Sequence, residues 1–355
     1  MTKKDNSDQV IKNPGTIDIE ITSLEDNLRI DKFLCKKFSI TFSLAQKLLR
    51  EKKITVNQNI IKNSIKLRFK DKITINDDII SANKARNSDN NGSKSLNSPA
   101  IIDLIAKIAK MTIFEDENIL IINKPSSLAV QGGSNIKLSL DDALQFLNQQ
   151  YHLNNLKYHK LFKFYQEYSH LLEKNNINKL IKMQLVHRLD RDTTGLLIIA
   201  KNNQIAQFLT AGFRDKNISK IYQAAILGIP KKLNGTINIP LSKKVINNIE
   251  KVYKDREGKE AISGFQVIAS RGNYSLLELS PITGRTHQLR VHCKEIGYPI
   301  VNDIKYGGSV AINRNIGKKM CLNAYKITIN DYYGKDKNLE IVNPYLPDFV
   351  KYFKL

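Results

Sequence analysis

The sequence predicts an α+β protein in two parts, a small basic module and a larger domain, joined by a polar linker. Three observations carry that expectation. From Leu28 to Ile79, helical apolar spacing gives way to short β-branched runs. Residues 81–100 (SANKARNSDNNGSKSLNSPA) contain almost nothing apolar. Beyond them, apolar strands around Ile119–Ile122 and Leu196–Ala200 are followed by a strand, a Thr-Gly turn and a helix between Leu276 and His292.

A chain of 355 residues has room for two domains and one sizeable core. Its formal net charge of +22 points to a polyanionic partner. Lys, Asn and Ile are all abundant, as an AT-rich genome would produce, and that bias is the other source of a lysine excess. Cys35, Cys293 and Cys321 are far apart, odd in number and without CxxC spacing. They support neither a zinc knuckle nor a disulfide scaffold, and a reducing cytoplasmic setting is expected. The N-terminus, MTKKDNSDQVIKNPG, has no apolar core of a signal peptide, and no run approaches the ~20 apolar residues of a membrane span.

Residues 1–26 read as a polar tail and residues 27–80 as the small module. Ile30, Phe33, Leu34 and Phe38 form a helical stripe, with Asp31, Lys32, Lys36 and Lys37 off it. Ser43 reads as the N-cap of a second helix, with Gln46 completing a capping box. That helix packs through Leu44, Ala45, Leu48 and Leu49, leaving Lys47, Arg50, Lys52 and Lys53 for solvent or phosphate. Ile54–Val56 and Ile60-Ile61 read as strands around an Asn57-Gln58-Asn59 turn, and Lys72–Ile75 as a further strand. Two short helices followed by a hairpin resemble the alpha-L RNA-binding motif of a small-subunit ribosomal protein. A helix-turn-helix DNA reader would need a third helix where this chain supplies strands. Residues 81–110 are expected to be a flexible linker, with short helices at Ile101–Lys110 left open. Twenty such residues span on the order of 25 Å.

In the large domain, expected over residues 111–355, Thr112–Pro125 reads as strand, acidic turn, buried strand and a Lys-Pro break. Gln131-Gly132-Gly133 is a permissive turn. Residues 149–182 are rich in Lys, Tyr and Asn, with Leu161, Phe162, Tyr165, Tyr168, Leu171 and Leu172 at helical spacing. The most informative stretch is Val186-His187-Arg188-Leu189-Asp190-Arg191-Asp192-Thr193-Thr194-Gly195, which runs straight into Leu196–Ala200. A charged loop anchored by a buried strand can hold one carboxylate rigidly at the floor of a cleft. Lys220-Ile221-Tyr222-Gln223-Ala224 is an alternating strand, and Tyr222 alone reads equally as a sheet-face aromatic. His287 and His292 are five residues apart, the wrong spacing for a zinc pair on one helix face. No metal site is expected.

Taken in order, these stretches resemble the pseudouridine synthase family that includes the ribosomal large-subunit enzymes. Asn123-Lys124-Pro125 with Val130–Gly133 is similar to its NKP turn, with Ser127 in place of a frequent Gly and Gln131 in place of a usual His. Thr283-Gly284-Arg285-Thr286-His287-Gln288 is close to family wording. Gly297–Gly307 also matches, with Asn302 for a usual Gly. The resemblance implies a mixed, mainly antiparallel sheet flanked by helices, with the active-site cleft across its middle. It implies Asp190 as the catalytic residue, Tyr222 against the target base, and Arg285 as the arginine paired with Asp190. It marks residues 149–182 as an insertion, and within the family it points to enzymes acting on 23S ribosomal RNA.

The implied chemistry fits one carboxylate. Pseudouridine formation breaks a bond from ribose carbon to uracil nitrogen and rejoins the base through carbon, with no atom gained or lost. No cofactor or metal is therefore expected. Glycoside hydrolases need a second carboxylate to activate water, whereas an isomerase must keep water out. Relatives vary at the position of Asp192, so the resemblance implies a structural role for it, in the turn. RNA is the expected partner, a monomer the default state, and a non-catalytic RNA-binding assembly factor the alternative function. An RNA hydrolase or nuclease lacks paired acids and metal ligands here.

Overall fold

Alternating Ile17, Ile19 and Ile21 and the helical stripe from Ile30 to Phe38 converge on one small core. We describe a computed structural model covering residues 10–13, 15–22, 25–38, 42–61, 65–76, 99–132, 136–152, 182–246 and 249–354. The chain divides into two compact units, Met1–Ser95 and Leu96–Leu355.

In the first unit, β1 (Val10–Asn13), β2 (Thr16–Glu20), β3 (Ile54–Val56), β4 (Asn59–Ile60) and β5 (Lys72–Asn76) form an antiparallel sheet in the order β1-β2-β5-β3-β4. Helices α1 (Ile30–Phe38) and α2 (Phe42–Arg50) share its core through Phe33, Leu34, Ala45 and Leu48. Asn57 and Gln58 both take positive φ, as a tight hairpin turn requires. The polar tail expected over residues 1–26 is corrected here. Val10–Asn13 and Thr16–Glu20 instead pair as antiparallel strands, because Ile17 and Ile19 alternate with polar neighbours and bury beside β5. Helix α2 starts at Phe42, one residue ahead of the expected N-cap Ser43, whose side chain lies outside what is described; Gln46 donates from Nε2 to Asp31 Oδ2 at 2.7 Å. Asp31, read as lying off the apolar stripe, is fully buried and paired with Arg29.

In the second unit, α3 (Pro99–Lys110) replaces the last two-fifths of the expected linker. Ile101, Leu104, Ile105 and Ile108 fall at i, i+3, i+4 and i+7 and are buried, so this segment folds rather than tethers. The rest of the proposed linker, and residues 153–181 of the proposed insertion, lie outside the described residues. Next come β6 (Thr112–Glu115), β7 (Ile119–Lys124), α4 (Leu140–His152), β8 (Gln184–Leu185) and β9 (Thr194–Ala200). They are followed by α5 (Asn203–Arg214), β10 (Ile218–Leu227), β11 (Asn234–Asn238) and the hairpin β12–β13 (Leu241–Ile246, Ile249–Lys254). The remainder is β14 (Ile262–Arg271), β15 (Tyr274–Pro281), α6 (Gln288–Glu295), α7 (Ile304–Gly307), β16 (Leu322–Ile329), β17 (Leu339–Val342) and α8 (Asp348–Lys351).

The main sheet runs β11-β14-β15-β10-β16-β9-β7-β6, with β17 on β16 and β8 on β9. All its ladders are antiparallel except β9 on β16. The fold is thus α+β with a mixed, mainly antiparallel sheet. Strands β7 and β9 read as unbroken apolar runs because both sheet faces are covered. Leu120, Ile122, Leu197 and Ile199 meet α3 and α4, while Ile119, Ile121, Leu196 and Ile198 meet α5. The parallel seam positions the site. It is short, Thr194 opposite Asn323 and Gly195 opposite Ala324. Gly195 has φ 105°, and a Cβ there would stand 2.2 Å from the Ala324 carbonyl oxygen. Only glycine lets the two backbones approach so closely.

Candidate active site

The loop Val186–Thr193 enters β9 at that seam and is fastened from three directions. His187 Nε2 accepts the Ile198 N–H at 2.8 Å, and its ring lies 4.8 Å from that of Phe213 on α5. Burial pushes this imidazole well below its usual value, so it is neutral. Lys124, at the end of β7, is fully buried and donates from Nζ to the carbonyls of Pro125, Leu128 and Arg191 at 2.9, 3.0 and 3.0 Å. Three oxygens for three N–H donors satisfy the ammonium and tie the Lys-Pro turn to the loop. Burial nevertheless lowers Lys124 to about 8, against the opposing charges of Asp192 and Asp190. Arg188 donates to Gln131 Oε1 at 3.1 Å, bringing together the two turns singled out in the sequence.

Asp190 is held at one oxygen. Arg290 Nη1 donates to Oδ2 at 3.1 Å. His287 Nε2 stands 3.8 Å from the same oxygen, beyond hydrogen-bond reach. Among the described residues, Oδ1 accepts no hydrogen bond. Arg290 itself is gripped by Asp303, Nε to Oδ2 and Nη2 to Oδ1, both at 2.8 Å. Burial works against the guanidinium charge, but Asp303 and Asp190 outweigh it and raise Arg290 above its ordinary value. The arrangement is a carboxylate–guanidinium–carboxylate chain with Asp190 at its more exposed end, 21% against 1% for Asp303.

Arg285, expected to pair with Asp190, does not. It lies in the turn before α6, is exposed, and donates from Nε to the Glu260 carbonyl at 2.9 Å. Gln288 builds that turn, accepting at Oε1 from Thr283 Oγ1 and the Arg285 N–H while donating to Ile262 O and Ser263 Oγ. His287 then adopts a left-handed backbone, φ 54°, and α6 starts with Arg290 on its buried side. The pairing arginine is five residues downstream of the one chosen from the motif. An arginine in a helix whose neighbours Leu289 and Val291 are apolar was the available signal, since such a charge needs a buried partner.

Tyr222 sits on β10 between Leu279 of β15 and Ala324 of β16, with a bulge at Ile221/Tyr222. It is 7% exposed, and burial, followed by the Asp190 charge, raises its hydroxyl above the usual tyrosine value. Asp190, Tyr222, Arg285, Arg290, His287 and Lys220 all line one cavity of about 110 Å³. A wider cleft of about 600 Å³ adjoins it across Asp190, His287 and Arg290, bordered by Arg191, Arg314 and Lys318. His287 Nδ1 is 2.7 Å from Tyr306 Oη, which also accepts the Val252 N–H. Burial lowers the His287 imidazole below its ordinary value. His292 meets Ser263 Oγ and the Ile239 carbonyl instead. No group of three His, Cys, Asp or Glu suited to a metal ion occurs among the described residues. No helix among them is long and apolar enough to cross a membrane.

A mixed sheet with one carboxylate held by a buried guanidinium in a narrow cavity is the setting in which the comparisons fall. Residues 118–295 match the RNA pseudouridylate synthase family, and residues 28–73 match the S4 domain. The chain belongs to the RNA pseudouridylate synthase family and is an RNA pseudouridine synthase carrying an S4 domain. It is 36% identical over 323 residues to "Ribosomal large subunit pseudouridine synthase C" of Rickettsia felis, covering 89% of this chain and 93% of that protein. It is 33% identical to the protein of the same name from Vibrio parahaemolyticus, over 79% of this chain and 76% of that one. The solved structure of human RNA pseudouridylate synthase domain containing 4 shares the fold. Its TM-score is 0.52 at 24% identity, over 71% of this chain and 94% of that one.

Proposed function

We propose that this enzyme converts uridines of large-subunit ribosomal RNA to pseudouridine, with Asp190 as the catalytic carboxylate. The observation that carries the reading is the Asp303–Arg290–Asp190 chain, which ends with one carboxylate oxygen unclaimed in a cavity lined by Tyr222. In this reading Oδ1 of Asp190 does the chemistry. It serves as nucleophile at the sugar, nucleophile at the base, or acceptor of a sugar proton. Arg290 fixes the carboxylate from behind, and Tyr222 packs against the extruded uracil. Arg285, exposed at the mouth, is suited to RNA backbone rather than to Asp190. Extruding the nucleotide costs a few kcal/mol, which stacking and phosphate contacts offset. The S4-type module supplies further RNA contacts, and the names of the relatives support ribosomal RNA as the substrate.

The test is Asp190→Asn. Pseudouridine mapped on total RNA from cells carrying the wild-type gene, the variant, or neither should show positions that require the carboxylate. The purified variant should bind RNA within about threefold of wild type while its turnover falls by at least ~10³-fold, as removing an essential group does. Modification persisting in the variant would overturn the assignment.

A further inference from the structure

Four cations line the cavity that holds Asp190, and three of them are engaged. Arg290 serves Asp303 and Asp190, Arg285 donates to the Glu260 carbonyl, and Arg188 donates to Gln131. The fourth, Lys220 on β10, has no hydrogen bond and no ion pair among the described residues. Its Nζ lies 4.9 Å over the Phe213 ring, beside neutral His187, and the side chain is half-buried. Burial brings this amine down to about 8, so it is still mostly cationic at neutral pH. An ammonium taken partly out of water without a carboxylate is unfavourable unless a negative charge visits it.

The reaction supplies such a charge. When C1′–N1 breaks, the electron pair leaves with the base, and the negative charge spreads over N1 and the two carbonyl oxygens of uracil. Electron demand at C1′ is met from the Asp190 side. The C1′–C5 bond then forms, and the proton lost from C5 is balanced by the one gained at N1, so no outside reactant enters. We propose that Lys220 is a catalytic residue that stabilises the negative charge on the detached uracil, opposite in role and in sign to Asp190. This rests on the uridine-isomerase reading above. Stabilisation aimed at charge that develops only during reaction raises the rate without tightening ground-state binding. A phosphate contact would do the reverse.

The experiment uses the full chain and a large-subunit ribosomal RNA transcript carrying 5-tritiated uridine. Tritium release at saturating enzyme reports the chemical steps, and filter binding across a salt series reports affinity. Lys220→Met should slow release about 100-fold or more while affinity and its salt slope stay within about twofold of wild type. Lys220→Arg, which keeps the cation, should recover most of the rate, and both variants should melt near the wild-type temperature. If Lys220→Met weakens binding and lowers the salt slope by about one phosphate's worth while saturated release is unchanged, the lysine contacts backbone and the proposal is wrong. Unchanged rate and affinity together would also overturn it. Should Lys220→Met fail to fold, Lys220→Arg decides: a folded, cationic variant as slow as Asp190→Asn removes the electrostatic role. Asp190→Asn in the same assay separates the two readings. If it is inert while Lys220→Met is fully active, only the lysine's role fails; if it is active, the whole site assignment fails, and Lys220 with it.

Discussion

Arg290 and Asp303 face each other through two parallel hydrogen bonds of 2.8 Å, which leaves Nη1 of the same guanidinium to reach Asp190 at 3.1 Å. The planar fork is what allows one side chain to serve two carboxylates in fixed geometry. A lysine ammonium carries the charge but not the fork. Arg290→Lys should therefore lower the single-turnover rate roughly 100-fold, about 3 kcal/mol, with RNA affinity little changed. Arg285→Ala should do the opposite, weakening binding severalfold while the saturated rate holds. Equal rate losses in the two variants would contradict the assignment of Arg290.

Tyr222 is confined between two strands, so its ring position does not depend on the hydroxyl. Tyr222→Phe should keep RNA affinity within about threefold, because the stacking surface is retained. If the hydroxyl helps move the C5 proton, the rate at saturation should drop about 100-fold, the usual scale of a positioned proton-transfer group. A phenylalanine enzyme running at full rate would restrict Tyr222 to stacking.

Lys124 gives a pH signature in stability. Its folded value is lowered to about 8 from the ordinary lysine value of 10.5. Between those limits the unfolded chain binds the proton and the folded enzyme does not. Stability attributable to this group therefore rises with pH across that window, by up to about 1.4 kcal/mol per pH unit, and is flat below it. Lys201 and Lys220 are shifted in the same direction and add to the total, so the comparison must be made between variants. Urea midpoints of wild type and Lys124→Met measured from pH 7 to 10 should show the difference between them changing with that slope. The variant should also unfold earlier at pH 7, since three carbonyls lose their donor.

How much of this was legible beforehand differs from residue to residue. The position of Asp190 beside a cavity was legible because a charged loop flows without interruption into an apolar strand. The double burial of β7 and β9 showed in their unbroken runs. The strand order was not legible from local pattern, since β9 and β16 meet through Thr194 and Asn323, 129 residues apart. Arg290 was flagged only by its apolar neighbours Leu289 and Val291; that Arg285 stays in the preceding turn follows from a left-handed His287 before α6 and from the bonds of Gln288 to β14, which local pattern does not show. By contrast, α3 and the Ile17–Ile21 alternation were present in the sequence as periodic signals. Their polar surroundings concealed them.

The two units have separate hydrophobic cores, Ile17 through Ile75 in one and Ile101 through Phe353 in the other. A chain starting at Ser98 should therefore fold, with a melting transition of its own. If the first unit holds RNA through lysines and arginines, removing it should weaken binding and flatten the plot of log affinity against log salt. Each lost phosphate contact lowers the slope by about 0.7–0.9. Saturated turnover should change much less, because Asp190, Arg290, Tyr222 and Lys220 all belong to the second unit. Filter binding from 50 to 300 mM salt measures the slope. A truncated enzyme with the wild-type slope would show that the first unit contributes no ionic contact to this RNA, and would leave the basic surface of the second unit, including Arg191, Arg314 and Lys318, to account for the affinity.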